Sequence, residues 1–308
     1  MFIATKLPAH QIIPREIEIE CRDSIWFGRF PAMACLCEVQ CVGVSRSEAE
    51  TLCLSAANEA WRIQDKFSRY QRKSVTSLIN SSDGRPVTID NETMQLLHYA
   101  ARCYALSGGQ FDITSGVLRR VWPFDGSDNI PTQTAIDEVI PLIGFNKIIF
   151  GVDSVTLTPG MEVDLGGIGK EYAVDKVLRL MELQHDVPLL VNFGGDIAAN
   201  RSPAVGEPWR VGISQLGNEH VADRIVELHA GGIATSGDTQ RYLMRDGIRY
   251  SHILNPTTGW PAAGAPHSVT VVADTCTDAG ILATLAMLQG SEARNFLEET
   301  GREHYCLC

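Results

Sequence analysis

The sequence predicts an α+β fold of mixed sheets with packed helices, on three observations. Strand-like segments outnumber amphipathic helical ones, several strands lie close enough in sequence to form hairpins, and strand and helix do not alternate as a doubly wound parallel sheet requires. The first strand is expected from Ala34 to Val44, where Cys35, Cys37, Val39 and Cys41 share one parity and read as a single buried face. Ser47, with Glu50 three residues on, predicts a capped helix. Its apolar positions Ala49, Leu52, Cys53, Ala56, Ala60 and Ile63 recur at three- and four-residue steps from Glu48 to Phe67. A second helix is expected from Asn91 to about Leu106, with Met94, Leu97, Ala101 and Tyr104 on one side and a stop at Ser107-Gly108-Gly109. Further strands are expected at residues 147–150, 154–157, 188–192, 209–213, 225–229, 241–244 and 267–273, and helices at 170–183 and 278–288. Residues 1–30 lack periodicity and read as an N-terminal extension to one domain spanning 31–308, since no Pro-, Gly- or charge-rich linker divides the rest.

A chain of 308 residues, 44% hydrophobic, is long enough to bury a large core. Its net charge of -11, without a Lys/Arg-rich run, argues against nucleic acid as a partner. A small anionic ligand stays compatible, because a few backbone N–H groups bind phosphate whatever the net charge. Met1 to Glu20 contains no apolar leader and no stretch reaches bilayer length, so a cytoplasmic chain without membrane insertion is expected. Nine cysteines, an odd number, point to reduced thiols, and without a CxxC pair they do not read as a metal site.

Four Gly-Gly pairs stand out, at 108–109, 166–167, 194–195 and 231–232. Glycine pairs at strand ends often make simple turns, but together these suggest a phosphate-rich ligand approached by backbone N–H groups. The pair in Asp164-Leu165-Gly166-Gly167-Ile168-Gly169-Lys170 precedes an amphipathic helix and so offers a helix N-terminus to an anion. It is neither a Walker A loop, whose spacing and Ser/Thr are missing, nor a GxGxxG fingerprint, whose third glycine is missing. Downstream, His252 stands between a strand and the turn Asn255-Pro256-Thr257-Thr258-Gly259. It reads either as a positioned general base or as a histidine packed at a strand end.

Taken in order, FSRY (67–70), GGQFDITSG (108–116), VDLGGIGKEYAVD (163–175), VNFGGDIA (191–198), WRVGI (209–213), ATSGD (234–238), YSHILNPTTGWP (250–261) and SVTVVA (268–273) resemble the ApbE-type FAD:protein FMN transferases. The resemblance implies a two-lobed architecture with FAD in the cleft between the lobes and Mg²⁺ bridging its diphosphate to the protein. By the same resemblance, Met33, Tyr70, Gln110, Phe111, Asp112, Asp164, Lys170 and the His252-Ile253 strand line the flavin site. Tyr70 and Phe111 suit stacking, Asp112 and Asp164 suit accepting from ligand donors, and Lys170 suits the diphosphate. The ligand reading of Asp164 and Lys170 is preferred over the alternative that they are members of ordinary ion pairs.

The implied metal ligands are the Gly167 carbonyl and Thr284. An Asp usually stands four residues before that Thr, where this chain has Gly280. Asp278 is nearby, but six residues from Thr284 on a helix is about 120° off its face, so it serves only if the helix begins after it. Two smaller departures are Glu171, where Gly is usual, and Asn255, where Asp is usual. The implied reaction is attack by a Thr or Ser hydroxyl of an acceptor protein on the FMN-side phosphorus of FAD, with AMP leaving and His252 or Asp238 taking the proton. Two other activities fit the same site: FAD binding without transfer, and hydrolysis of FAD to FMN and AMP.

Overall fold

The computed structural model describes residues 14–125, 127–215, 218–238 and 241–308. Residues 1–13, part of the segment read as lacking a leader, lie outside the described residues. The chain opens with an antiparallel meander of β1 (Glu18–Arg22), β2 (Ile25–Ala32) and β3 (Cys35–Val42). Its two-residue turns place Asp23, Ser24, Met33 and Ala34 at positive φ, the backbone that fits strand twist. Residues 18–30, expected as part of an extension, therefore lie in β1, β2 and the turn that joins them. Nearly every residue of β2 is apolar, so no alternation marked it.

Helix α1 (Arg46–Phe67) is capped two residues earlier than expected: Ser45 Oγ accepts from Glu48 N, and Glu48 Oε2 accepts from Ser45 N at 2.7 Å. The run Ser45-Arg46-Ser47-Glu48-Ala49-Glu50 offers both boxes, and the earlier one wins. Short elements follow, α2 (Val75–Asn80) and β4 (Val87–Thr88), then α3 (Asn91–Leu106), a 3₁₀ turn at Ile113–Arg120, α4 (Gln133–Val139), β5 (Ile149–Phe150) and β6 (Ser154–Thr156). Then come α5 (Gly169–Glu182), β7 (Leu189–Phe193), β8 (Asp196–Ala199), β9 (Trp209–Gln215), β10 (Asn218–Leu228) and β11 (Gly231–Gly237). The last are β12 (Tyr242–Arg245), β13 (Ile248–Ser251), β14 (Ser268–Ala273), α6 (Cys276–Leu288), α7 (Ala293–Thr300) and β15 (His304–Leu307).

The fold is α+β. Its centre is an eight-stranded sheet in the order β1-β2-β3-β7-β8-β11-β14-β15, antiparallel at every pairing. Helices α1, α5 and α6 cover one face, and the β9–β10 ribbon covers the other through Trp209, Val211 and Val226. A third apolar cluster, Val117, Leu118, Trp122, Ile136, Val139, Ile143 and Leu243, forms a separate small core beneath α4 and the β12–β13 hairpin. Cys35, Cys37, Val39 and Cys41 are all buried on β3, and all nine cysteines are free thiols.

The four glycine pairs have different roles. Gly108 and Gly109 end α3 at positive φ, and Gly194 and Gly195 make the β7–β8 turn at φ 62° and 101°. The 231–232 pair is not a turn: both residues lie in β11, where a Cβ on Gly232 would sit 2.2 Å from Cys276 N. That glycine lets the start of α6 press onto the sheet.

Candidate active site

Two of the sequence motifs interlock to build one wall. Asp164 N donates to Ile113 O at 2.8 Å, and a Cβ on Gly116 would lie 2.5 Å from Asp164 Cβ, so the 108–116 and 163–167 segments approach as only glycine permits. Phe111 is buried under the second segment, with its ring 3.2 Å from where a Gly167 side chain would begin. Gly166 and Gly167 are exposed, and Gly166 N donates to Asp164 Oδ1 at 2.9 Å. The cap residue of α5 is Ile168, which has no side-chain oxygen for the first-turn N–H groups, so this helix start favours an anion.

Arg69, which the sequence reading passed over, organises the neighbouring wall. Its guanidinium pairs closely with Asp164 and donates to Tyr70 Oη at 2.8 Å while lying 4.9 Å from the Tyr70 ring centroid. Desolvation raises the Tyr70 pKa, but hydrogen bonds and charge from Arg69 and Arg241 outweigh it and leave the phenol below its ordinary value. Arg241 thus reaches Tyr70 with its side chain, while its carbonyl lies 2.9 Å from His252 Nδ1. A carbonyl only accepts, so Nδ1 carries the proton and Nε2 is the basic nitrogen of the neutral ring. Phe124 meets the His252 ring edge to face at 6.3 Å, within an aromatic group of Trp122, Tyr250 and Trp260 that the sequence analysis also missed. The following turn is fixed by Asn255 Oδ1, which accepts from Thr257 N and Thr258 N, and by Trp122 Nε1, which donates to Gly259 O.

Lys170 lies in the first turn of α5 with Nζ 2.9 Å from Asp196 Oδ2. Desolvation works against its charge, but Asp196 prevails and holds the ammonium pKa above its ordinary value. Next to it, burial and then the Asp196 charge push the Glu171 carboxyl up to about 8, against the pull of Lys170. Glu171 Oε2 is buried and has no hydrogen-bond partner. A Cβ on Gly280 would lie 2.6 Å from Glu171 Cγ and 3.1 Å from Oε1. One turn along α6, Thr284 Oγ1 donates to Ser236 Oγ at 3.3 Å.

The remaining predicted residues divide. Met33, at the β2–β3 turn, donates its N–H to Gln64 Oε1 at 2.6 Å; that turn leads to Cys35, which adjoins Gly194 and Lys170. Gln110 Oε1 accepts from Gln289 Nε2 at 2.6 Å, and Ile253, half-buried, donates its N–H to Ser251 Oγ. Asp112 turns inward: Oδ1 accepts from Thr114 N and Oγ1, and Oδ2 from Phe145 N at 2.9 Å, so its carboxylate holds the loop rather than facing a ligand. Asp238 is buried with Arg249 at 3.4 Å and His267 at 3.2 Å. Asp278 is overturned as a stand-in at position 280: α6 begins before it, and it is exposed, accepting from Tyr99 Oη at 3.1 Å. Among the described residues no three His, Cys, Asp or Glu side chains converge as a metal site, so any cation here takes hydroxyl or carbonyl ligands as well.

The ApbE family model matches residues 33–307. The chain belongs to the ApbE family. Among its relatives, a protein of Vibrio cholerae named FAD:protein FMN transferase is 32% identical over 240 residues, 75% of this chain and 71% of the relative. A protein of the same name from Salmonella typhimurium is 31% identical over 271 residues, 84% of this chain and 77% of the relative. The solved structure of the ApbE protein from Thermotoga maritima superposes with a TM-score of 0.82 at 29% identity, covering 94% of each chain. That of the flavin transferase ApbE from Vibrio cholerae gives 0.79 at 27% identity, again over 94% of each. The ApbE match begins at residue 33, so β1 and β2 stand outside it as two further strands of the central sheet.

Proposed function

We propose that this ApbE transferase moves FMN from FAD onto a Thr or Ser hydroxyl of an acceptor protein. The observation that carries the reading is the start of α5, where the exposed Gly166-Gly167 backbone, a helix N-terminus without a side-chain cap and Lys170 follow one another, with the Phe111 ring packed against Gly167. A diphosphate suits those N–H groups and that ammonium, and the ring of Phe111 suits a flat heterocycle. Tyr70 and Asp164, held by Arg69, offer a second stacking face and an acceptor. By the same reading Met33, Gln110 and Ile253 complete the flavin site, while Asp112 acts by fixing the loop that carries Phe111.

The acceptor hydroxyl oxygen attacks the FMN-side phosphorus, the bond from that phosphorus to the bridging oxygen breaks, and AMP leaves with that oxygen. His252 Nε2 takes the hydroxyl proton, with Arg241 O holding the ring in the tautomer this requires. Asp238 is the weaker candidate for that role, since Arg249 and His267 already engage its carboxylate. Lys170 opposes the charge that develops on the diphosphate. The Gly167 carbonyl and Thr284 hydroxyl are hard oxygen donors of the kind Mg²⁺ takes, and the buried Glu171 oxygen without a partner marks a place where a cation is favoured. Bound there, Mg²⁺ would neutralise diphosphate charge.

No described helix is long and apolar enough to cross a membrane. Nine free thiols fit a reducing compartment, and on that ground the chain is assigned to the cytoplasm. Incubating the protein with FAD, Mg²⁺ and an acceptor protein, then reading in-gel flavin fluorescence under denaturing conditions, tests the transfer. Fluorescence that stays with the acceptor supports it, and fluorescence lost on denaturation refutes it.

A further inference from the structure

Helices α5 and α6 run antiparallel and are pinned at one point. Asp175 Oδ1 accepts from Cys276 N at 2.9 Å, and Asp175 Oδ2 accepts from Thr277 N at 2.8 Å and from Thr277 Oγ1 at 2.5 Å. One turn back along α5 is Glu171, and one turn forward along α6 is Gly280; these two are in contact, as that register requires. One turn further along α6 lies Thr284, and Gly167 stands just before Ile168, the N-cap of α5. The side chain of Glu171 occupies the space that a side chain at position 280 would fill.

We propose that Glu171 supplies from α5 the carboxylate that the family resemblance places at position 280 of α6, so that a divalent cation is held by Glu171, the Gly167 carbonyl and Thr284. This rests on the transferase reading of the same site. Two departures that look independent in the sequence, Glu171 for Gly and Gly280 for Asp, are then one exchange. The carboxylate has moved across the α5–α6 contact, and position 280 has lost its side chain to admit it. The groups facing Glu171 include Lys170 and Asp196; Lys170 Nζ lies 2.9 Å from Asp196 Oδ2 as an ion pair, yet neither that oxygen nor Glu171 Oε2, both buried, has a hydrogen-bond partner. A buried carboxylate oxygen in that state costs free energy unless a proton or a cation joins it.

Mn²⁺, as a probe that reports its own binding, is titrated into the full chain saturated with FAD, and free Mn²⁺ is followed by electron paramagnetic resonance. Glu171→Gln, close to isosteric, should raise the Mn²⁺ dissociation constant at least about tenfold while FAD affinity without metal stays unchanged. The exchange Glu171→Gly with Gly280→Asp should bring Mn²⁺ affinity back to within about threefold of the wild type, whereas Gly280→Asp alone should not raise it, because the two side chains then compete for one space. Wild-type Mn²⁺ affinity in Glu171→Gln, or no recovery in a folded double variant, would overturn the proposal. Failure of the wild type to bind FAD at all would instead remove the transferase reading, and this one with it.

Discussion

Gly232→Ala tests how the sheet and α6 fit together. A Cβ there would stand 2.2 Å from Cys276 N and 2.4 Å from Thr275 C, both backbone atoms at the start of α6. Ordinary Cβ contacts begin near 3.4 Å, so the helix start must retreat by about 1 Å or β11 must bend. Overpacking of this kind costs about 1–3 kcal/mol, and more when backbone must move. For a chain of this size, each kcal/mol lowers the melting temperature by about 2–4 °C. The same retreat displaces α6, which carries Thr284, so transfer activity should fall together with stability. Differential scanning calorimetry and a transfer assay on the same samples read both quantities. The reasoning would be refuted by an unchanged melting temperature. FAD affinity lost at full stability would mean that the pair acts as a phosphate-binding turn, as the sequence alone suggested.

Asp164→Ala should weaken FAD binding by about 1–3 kcal/mol in a calorimetric titration, and its effect should not add to that of Arg69→Ala, because the two are paired. An unchanged dissociation constant would confine Asp164 to shaping the loop. His252→Asn should slow transfer by about 10²–10⁴ with FAD affinity retained, and a wild-type rate would remove it as the base. Glu92 links α3 to α1 and α5: it accepts from Arg62, Lys66 and Tyr172, and Arg62 first, then Lys66, hold its pKa down at about 2. A depressed carboxylate stabilises the fold above its ordinary pKa and loses that stabilisation as pH falls through the folded value. Glu92→Gln should therefore cost about 1–3 kcal/mol at pH 7 and progressively less towards pH 3 by urea denaturation, and a difference that does not depend on pH would contradict the assignment.

What the sequence made legible was whatever depends on local periodicity. Helices α1, α3, α5 and α6 and strands β3, β7, β9 and β14 carry their pattern in neighbouring residues and were placed within a few positions. Strand β2 has apolar residues almost throughout, and β11 begins with two glycines, so neither shows the alternation of a half-buried strand. In the proposed site, Tyr70, Phe111, Asp164, Lys170 and His252 are reached through the family resemblance, and their residue types suit the chemistry it implies. Their partners came from elsewhere in the chain: Arg69 for Asp164, Asp196 for Lys170 and the Arg241 carbonyl for His252. Asp112 shows the converse, since its oxygens are consumed by Thr114 and Phe145, and the second of these is distant in sequence. The relation of Glu171 to Gly280 was invisible for the same reason, because it exists only in the register between two helices.

The central claim is that the protein transfers FMN rather than carrying or hydrolysing FAD. The most direct measurement follows AMP, free FMN and acceptor-bound FMN together, by chromatography and intact-mass spectrometry, in one reaction containing the protein, FAD, Mg²⁺ and an acceptor with a Thr or Ser site. The account predicts AMP appearing one for one with an FMN phosphoester on the acceptor hydroxyl, and none with that hydroxyl removed. AMP accompanied only by free FMN would make the protein an FAD hydrolase, and FAD bound but left intact would make it a carrier; either result would contradict the claim.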